Sequence, residues 1–292
     1  MNIERAKQLQ ILGPKGTIIY GGDQDWYSSN TRAQGGCSSV AGANVLRALA
    51  RLDSKLSERI RQNEKIAPQL VEALCEDKPT KDCFGILMTG VYNKMHTFEI
   101  PILNRLYDKK ERGYKPFKII RPNQGQTNTG FIIGVIRFAR KFGIDIKVNY
   151  LNTAFVSADE GRGFIEEGLE KSGAVVIMTS YNTHGLKLYN GNSDLSKELK
   201  NGYDAKMKCH FATITDIDGD RLLITTWGRP AVGDFKEISK SWRSIKAFES
   251  TLMYIELSDK KEANRCMLGS FKAFLGGIVQ TITLGKCRLY KI

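Results

Sequence analysis

Residues 210–228 read HFATITDIDGDRLLITTWG. Two runs rich in β-branched and aromatic residues flank Asp218-Gly219, a pair that favours a two-residue hairpin loop because its turn positions take positive φ. With that loop, His210 faces Trp227 and Ala212 faces Thr225. Side chains alternate along a strand, so His210, Ala212, Thr225 and Trp227 share one face. Asp216 falls on the same face, further along. A polar group beside a histidine orients the imidazole, and an indole next to it keeps water off that contact.

Upstream, residues 21–52 read GGDQDWYSSNTRAQGGCSSVAGANVLRALARL. A loop of Gly, Ser and Asn runs to Gly35-Gly36. Val40, Ala41, Val45, Ala48, Leu49 and Leu52 then recur at helical spacing, with Arg47 and Arg51 off the stripe, so a buried helix begins almost at Cys37. A thiol at a helix N-terminus meets unsatisfied N–H groups and the positive end of the macrodipole, which favour thiolate over thiol. The same N–H groups can stabilise an oxyanion on a substrate carbonyl. A histidine within reach completes a nucleophile–base pair.

This order of loop, Cys, helix, long middle, His-strand, turn and strand ending Thr-Thr-Trp-Gly resembles the papain-like cysteine peptidase superfamily. It is most similar to the bacterial branch that includes bacteriocin leader-peptide peptidases. The matching segments are 21–52, 130–146 and 174 to about 242. The resemblance implies an α+β fold, a nucleophile helix packed on an antiparallel sheet, with Cys37 as nucleophile and His210 as base. It places Thr225 where the family has Asn or Asp, and Ser38 where it often has Gly. The oxyanion glutamine usually lies six residues before the cysteine; that position is Thr31, with Asn30 and Gln34 as neighbouring substitutes. Asp216 is an alternative orienter. Trp26 either lines the substrate cleft or anchors its loop, and Trp227 packs beside the histidine. The substrate is expected to be a peptide or an amide-like acyl donor, cleaved through an acyl-enzyme. Acyl transfer by the same pair, or an inactive binding module on the fold, are the alternatives.

The rest of the chain supplies the frame. Residues 53–126 read as a helical insertion, 129–143 as a helix, and 144–150 as a strand. A helix at 163–172 precedes a buried strand at 174–178, and 181–206 is a polar loop. One papain-like domain therefore covers 1–258, and 259–292 is a basic, apolar extension. In that extension 267–285 is too polar to span a bilayer, which leaves at most a weak peripheral membrane contact.

The chain has 292 residues, 41% of them hydrophobic and 26% charged, which excludes disorder and suits a packed core. The net charge of +13 gives a cationic surface that mildly favours acidic substrates. Residues 105–121 interleave basic and aromatic side chains but lack a phosphate loop, recognition helix or RNA-binding motif, so nucleic acid is not the expected partner. Six cysteines and three histidines lack metal-ligand spacing. No metal or organic cofactor is expected. With no secretory signal at the N-terminus, reduced thiols and a cytoplasmic location are the expectation.

Overall fold

The computed structural model describes residues 3–28, 36–95, 127–179, 186–190, 205–207, 210–243 and 250–270. A short helix α1 (Ile3–Lys7) leads into a ribbon of β1 (Gln10–Leu12) and β2 (Ile18–Tyr20). After a 3₁₀ turn at Gln24–Trp26 comes the long helix α2 (Cys37–Leu52), then α3 (Ser54–Arg61), α4 (Pro68–Cys75) and α5 (Lys81–Met95). The second half opens with α6 (Asn128–Arg140), β3 (Ile146–Asn152), α7 (Ala158–Ser172) and β4 (Val175–Thr179). It continues with β5 (Leu186–Asn190), β6 (Ala205–Met207), β7 (His210–Asp218), β8 (Arg221–Thr226) and β9 (Arg229–Asp234). A short α8 (Phe235–Ser239), β10 (Thr251–Leu257) and a helix α9 at 260–270 follow.

The fold is mixed α/β around an antiparallel sheet. Its eight described strands lie in the order β3-β10-β4-β7-β8-β9-β5-β6. β10, an apolar run not anticipated from the sequence, pairs with both β3 and β4, and β7 joins β4 to β8. The expected polar loop at 181–206 contains β5 and β6, where Leu186 and Leu188 turn inward and Lys187 between them does not. Such short strands carry too few alternations to stand out among glycines and asparagines.

One hydrophobic cluster joins α2, α4, α5 and α6 to one face of the sheet; the other face packs on α7, α8 and Trp242. The described part of the expected insertion, 53–95, thus belongs to the same core as the cysteine helix. So does the start of the C-terminal extension, through Ala263, Cys266 and Met267. Close helix packing needs glycine at Gly134, where a Cβ would sit 2.3 Å from Met95 Cγ and 2.8 Å from its Cα. The expected helix over 163–172 starts earlier, at Ala158, because Ser157 and Glu160 form a reciprocal capping box.

Every residue of α2 from Cys37 to Ala50 is buried, including Arg47, which the helical stripe alone left outside. Its guanidinium donates to the carbonyls of Ala73 (2.8 Å), Glu76 (2.7 Å) and Asp77 (2.9 Å) at the end of α4. Arg51 and Arg61 both donate to the Cys75 carbonyl, at 2.7 and 3.1 Å. Three cations thus satisfy the orphan carbonyls and the negative dipole end of one helix. Burial pushes the Arg47 pKa down to about 9, so it stays charged at neutral pH. Arg47→Met leaves these carbonyls dry and unpaired, and urea denaturation should show a loss of about 3 kcal/mol.

Candidate active site

The site depends on the register of β7 against β8. The hairpin forms, but its two-residue loop is Gly219-Asp220, one residue later than expected: Asp218 pairs with Arg221 and Ile217 with Leu222. Positive φ occurs only at the first loop residue (Gly219, φ 57°), the pattern of a type II′ turn. Asp220 is held there because its carbonyl accepts from Phe235 N at 2.7 Å and its carboxylate meets Arg162 and Lys236 at 3.0 and 2.6 Å. A bulge between Ile214 and Asp216 then shifts the ladder, so Thr213 pairs with Thr225 and Ile214 with Ile224.

The net slip of one residue exchanges the faces of neighbouring side chains. Thr226 now lies opposite Ala212 and shares the His210 face, and its hydroxyl contacts His210 Nε2 at 2.9 Å. Thr225, expected to orient the imidazole, is corrected: it is buried on the other face, and its hydroxyl has no hydrogen-bond partner among the described residues. Asp216, the alternative orienter, is corrected for the same reason. Past the bulge it turns to α1, where its carboxylate is 3.8 Å from Arg5.

Trp227 reaches His210 from a turn. Trp227 and Gly228 both take positive φ, 49° and 69°, and link β8 to β9. The left-handed region is unfavourable for an indole-bearing residue, and here it lays the ring over the imidazole at 4.8 Å and 29°. The same turn is tied to the N-terminal loop, since Gly228 N donates to Gly22 O (3.1 Å) and Tyr20 N to Gly228 O (3.0 Å).

Cys37 opens α2 behind the N-cap Gly36, and His210 opens β7. Both line one small cleft, together with Gln24, Asn44, Thr226 and Trp227. Gln24 was not anticipated from the sequence. It lies well upstream of the spacing expected for an oxyanion amide, in a 3₁₀ turn where the Asp23 side chain accepts from Asp25 N. The Gly-Gly-Asp run before it is the available signal, since it marks a tight turn that fixes the next side chain. Gln24 Oε1 is buried with no partner among the described residues.

Trp26 anchors its loop: it packs edge-on against Phe84 at 6.5 Å, with Lys81 Nζ 4.9 Å over its ring. Asn30, Gln34, Cys209 and residues 105–121 lie outside the described residues. Among the described residues there is no group of three or more His, Cys, Asp and Glu placed to hold a metal, and no helix is long and apolar enough to cross a membrane.

Burial pushes the His210 pKa down from 6.5 to about 4, so the ring is neutral at neutral pH. In the tautomer whose Nε2–H donates to Thr226, Nδ1 keeps its lone pair and can take a proton. A cysteine at a helix N-terminus that lines the same cleft as such a ring can be a nucleophile with a base. No protein-family model matches this chain, and no curated protein matches it.

Two predictions follow from this geometry. Thr226→Val should move the His210 ring ¹⁵N resonances, whereas Thr225→Val should leave them in place and raise stability by about 1 kcal/mol by removing an orphan buried hydroxyl. Between pH 6.5 and about 4 the unfolded state binds a proton that folded His210 refuses, so stability falls as pH drops through that window and levels off below it. Thermal melts should show a shallower slope there for His210→Gln; equal slopes would contradict a buried neutral ring.

Proposed function

We propose that the protein is a papain-like thiol hydrolase that cleaves a peptide or amide bond through an acyl-enzyme. The observation that carries this reading is the convergence of Cys37 and His210, far apart in sequence, on one cleft that Gln24 also lines. The packing of the cysteine helix on an antiparallel sheet supports the papain-like assignment.

In this reading the Cys37 sulfur attacks the substrate carbonyl carbon while its proton passes to His210 Nδ1. The oxyanion is met by N–H groups at the start of α2 and by the Gln24 amide. Collapse of the tetrahedral intermediate breaks the C–N bond, and His210 returns the proton to the leaving amine. Water then attacks the thioester, again with His210 as base, and releases the acid and the thiol. Thr226 takes the orienting role. An amine in place of water gives acyl transfer by the same steps. The cationic chain suits an acidic peptide. Among the described residues the thiols of Cys75, Cys83 and Cys266 form no disulfide, which suits a cytoplasmic enzyme.

A second reading is favoured by one observation: His210 has a hydroxyl for its partner, which orients an imidazole less firmly than an amide or carboxylate, and this suits an inactive binding module. Iodoacetamide alkylation followed by mass spectrometry against pH separates the two. Burial raises the pKa of Cys75 and Cys83, which makes them internal controls. For a hydrolase, Cys37 reacts well below the ordinary thiol pKa of about 8.5 and faster than both controls, and His210→Ala abolishes the difference. Reaction of Cys37 no faster than the controls means the hydrolase reading is wrong.

A further inference from the structure

Asn44 lies two helical turns beyond Cys37 on the same side of α2, is 1% exposed, and lines the cleft floor. Its Nδ2 donates to Thr213 Oγ1 at 3.1 Å, and its Oδ1 accepts from Gly22 N at 3.2 Å. One amide thereby joins the helix of the nucleophile, the strand of His210, and the loop that presents Gln24 two residues later. The loop lies flat against it. At Gly21 (φ 70°) a Cβ would stand 2.9 Å from both Oδ1 and Nδ2 of Asn44, and 2.7 Å from Thr225 Cγ2.

We infer that Asn44 is a positioning residue that sets the Gln24 amide at the oxyanion, an inference that rests on the hydrolase reading above. The chemistry singles out asparagine. Only a neutral amide offers a donor to Thr213 and an acceptor to the Gly22 N–H from one rigid plane, without burying a charge. A leucine of similar size leaves the Gly22 N–H unpaired in a dry site and loosens the loop at that point, next to Gln24. The loop is also held by the Gly228 turn, by Gly21 N donating to Leu9 O at 2.7 Å, and by Trp26 against Phe84, so Asn44 acts on the stretch at Gly22 next to Gln24.

The test compares two reactions of the same thiol in the full-length protein. Acylation of Cys37 by p-nitrophenyl acetate builds an oxyanion and is read as the nitrophenolate burst. Alkylation by iodoacetamide displaces iodide at carbon and builds none. Asn44→Leu is expected to slow the burst about tenfold and to leave alkylation within about twofold, as Gln24→Ala does. The double variant is expected to be no slower than Gln24→Ala alone, because both changes remove one effect.

Thr213→Val keeps the strand's shape and breaks only the Nδ2 contact. Its expected loss is smaller, about threefold, again confined to the burst, and it decides the matter should Asn44→Leu fail to fold. Losses that multiply in the double variant, or alkylation that falls in step with acylation, overturn the inference and leave the hydrolase reading standing. So does a Thr213→Val burst at the wild-type rate when Asn44→Leu does not fold. A wild-type protein that alkylates slowly and shows no burst overturns both.

Discussion

A helix buried along nearly its whole length still has polar ends, and the structure is organised around satisfying them. α2 is buried from Cys37 to Ala50. Its first N–H groups have no intrahelical acceptors, and the N-cap Gly36 offers no side-chain oxygen to them. They emerge at a cleft that also holds a histidine and a glutamine amide. A positive dipole end beside a thiol and a neutral imidazole is a place where negative charge is welcome. At the end of α4 the same constraint appears with the opposite sign, where buried Arg47 and the more exposed Arg51 and Arg61 meet its last carbonyls. The helical layer is therefore held by charge at a helix terminus as well as by apolar contact.

The sheet contributes the other half of the site, and it does so through irregularity. A bulge in β7 and a displaced turn change which threonine meets His210. The tight turn at Trp227-Gly228 then performs two tasks: it carries the indole over the imidazole, and its backbone docks the loop that carries Gln24. Asn44 closes the circuit from the helix side. The cleft is consequently framed by hydrogen bonds between elements that are distant in the chain, each donor or acceptor being a backbone group or a small neutral side chain.

Much of the frame was legible beforehand. The Val-Ala-Leu periodicity after Gly36 announced α2, and the alternating runs around Asp218-Gly219 announced the hairpin; His210 does meet Trp227, but from a turn and not as the cross-strand partner the drawn register made it. Arg47 was not legible, because helical periodicity reports apolar residues and cannot show that carbonyls from another helix await a cation. Gln24 was missed because its place in the cleft depends on contacts of its segment with residues distant in sequence, Asn44 and Gly228. Thr225 was preferred to Thr226 because the hairpin geometry was drawn without a bulge.

What the sequence by itself determined is the set of local propensities: a buried helix opening at a cysteine, a β-hairpin opening at a histidine, and turn residues between them. These rest on interactions within a few residues, which periodicity and glycine placement express directly. What only the tertiary structure decided is the partnership of side chains across elements: Thr226 with His210, Asn44 with Gly22 and Thr213, and Gln24 with the cleft. The physical reason is parity. Along a strand a slip of one residue turns every side chain to the opposite face, and the displaced turn and bulge that fix the register here involve contacts outside the hairpin, among them Asp220 with Arg162 and Lys236.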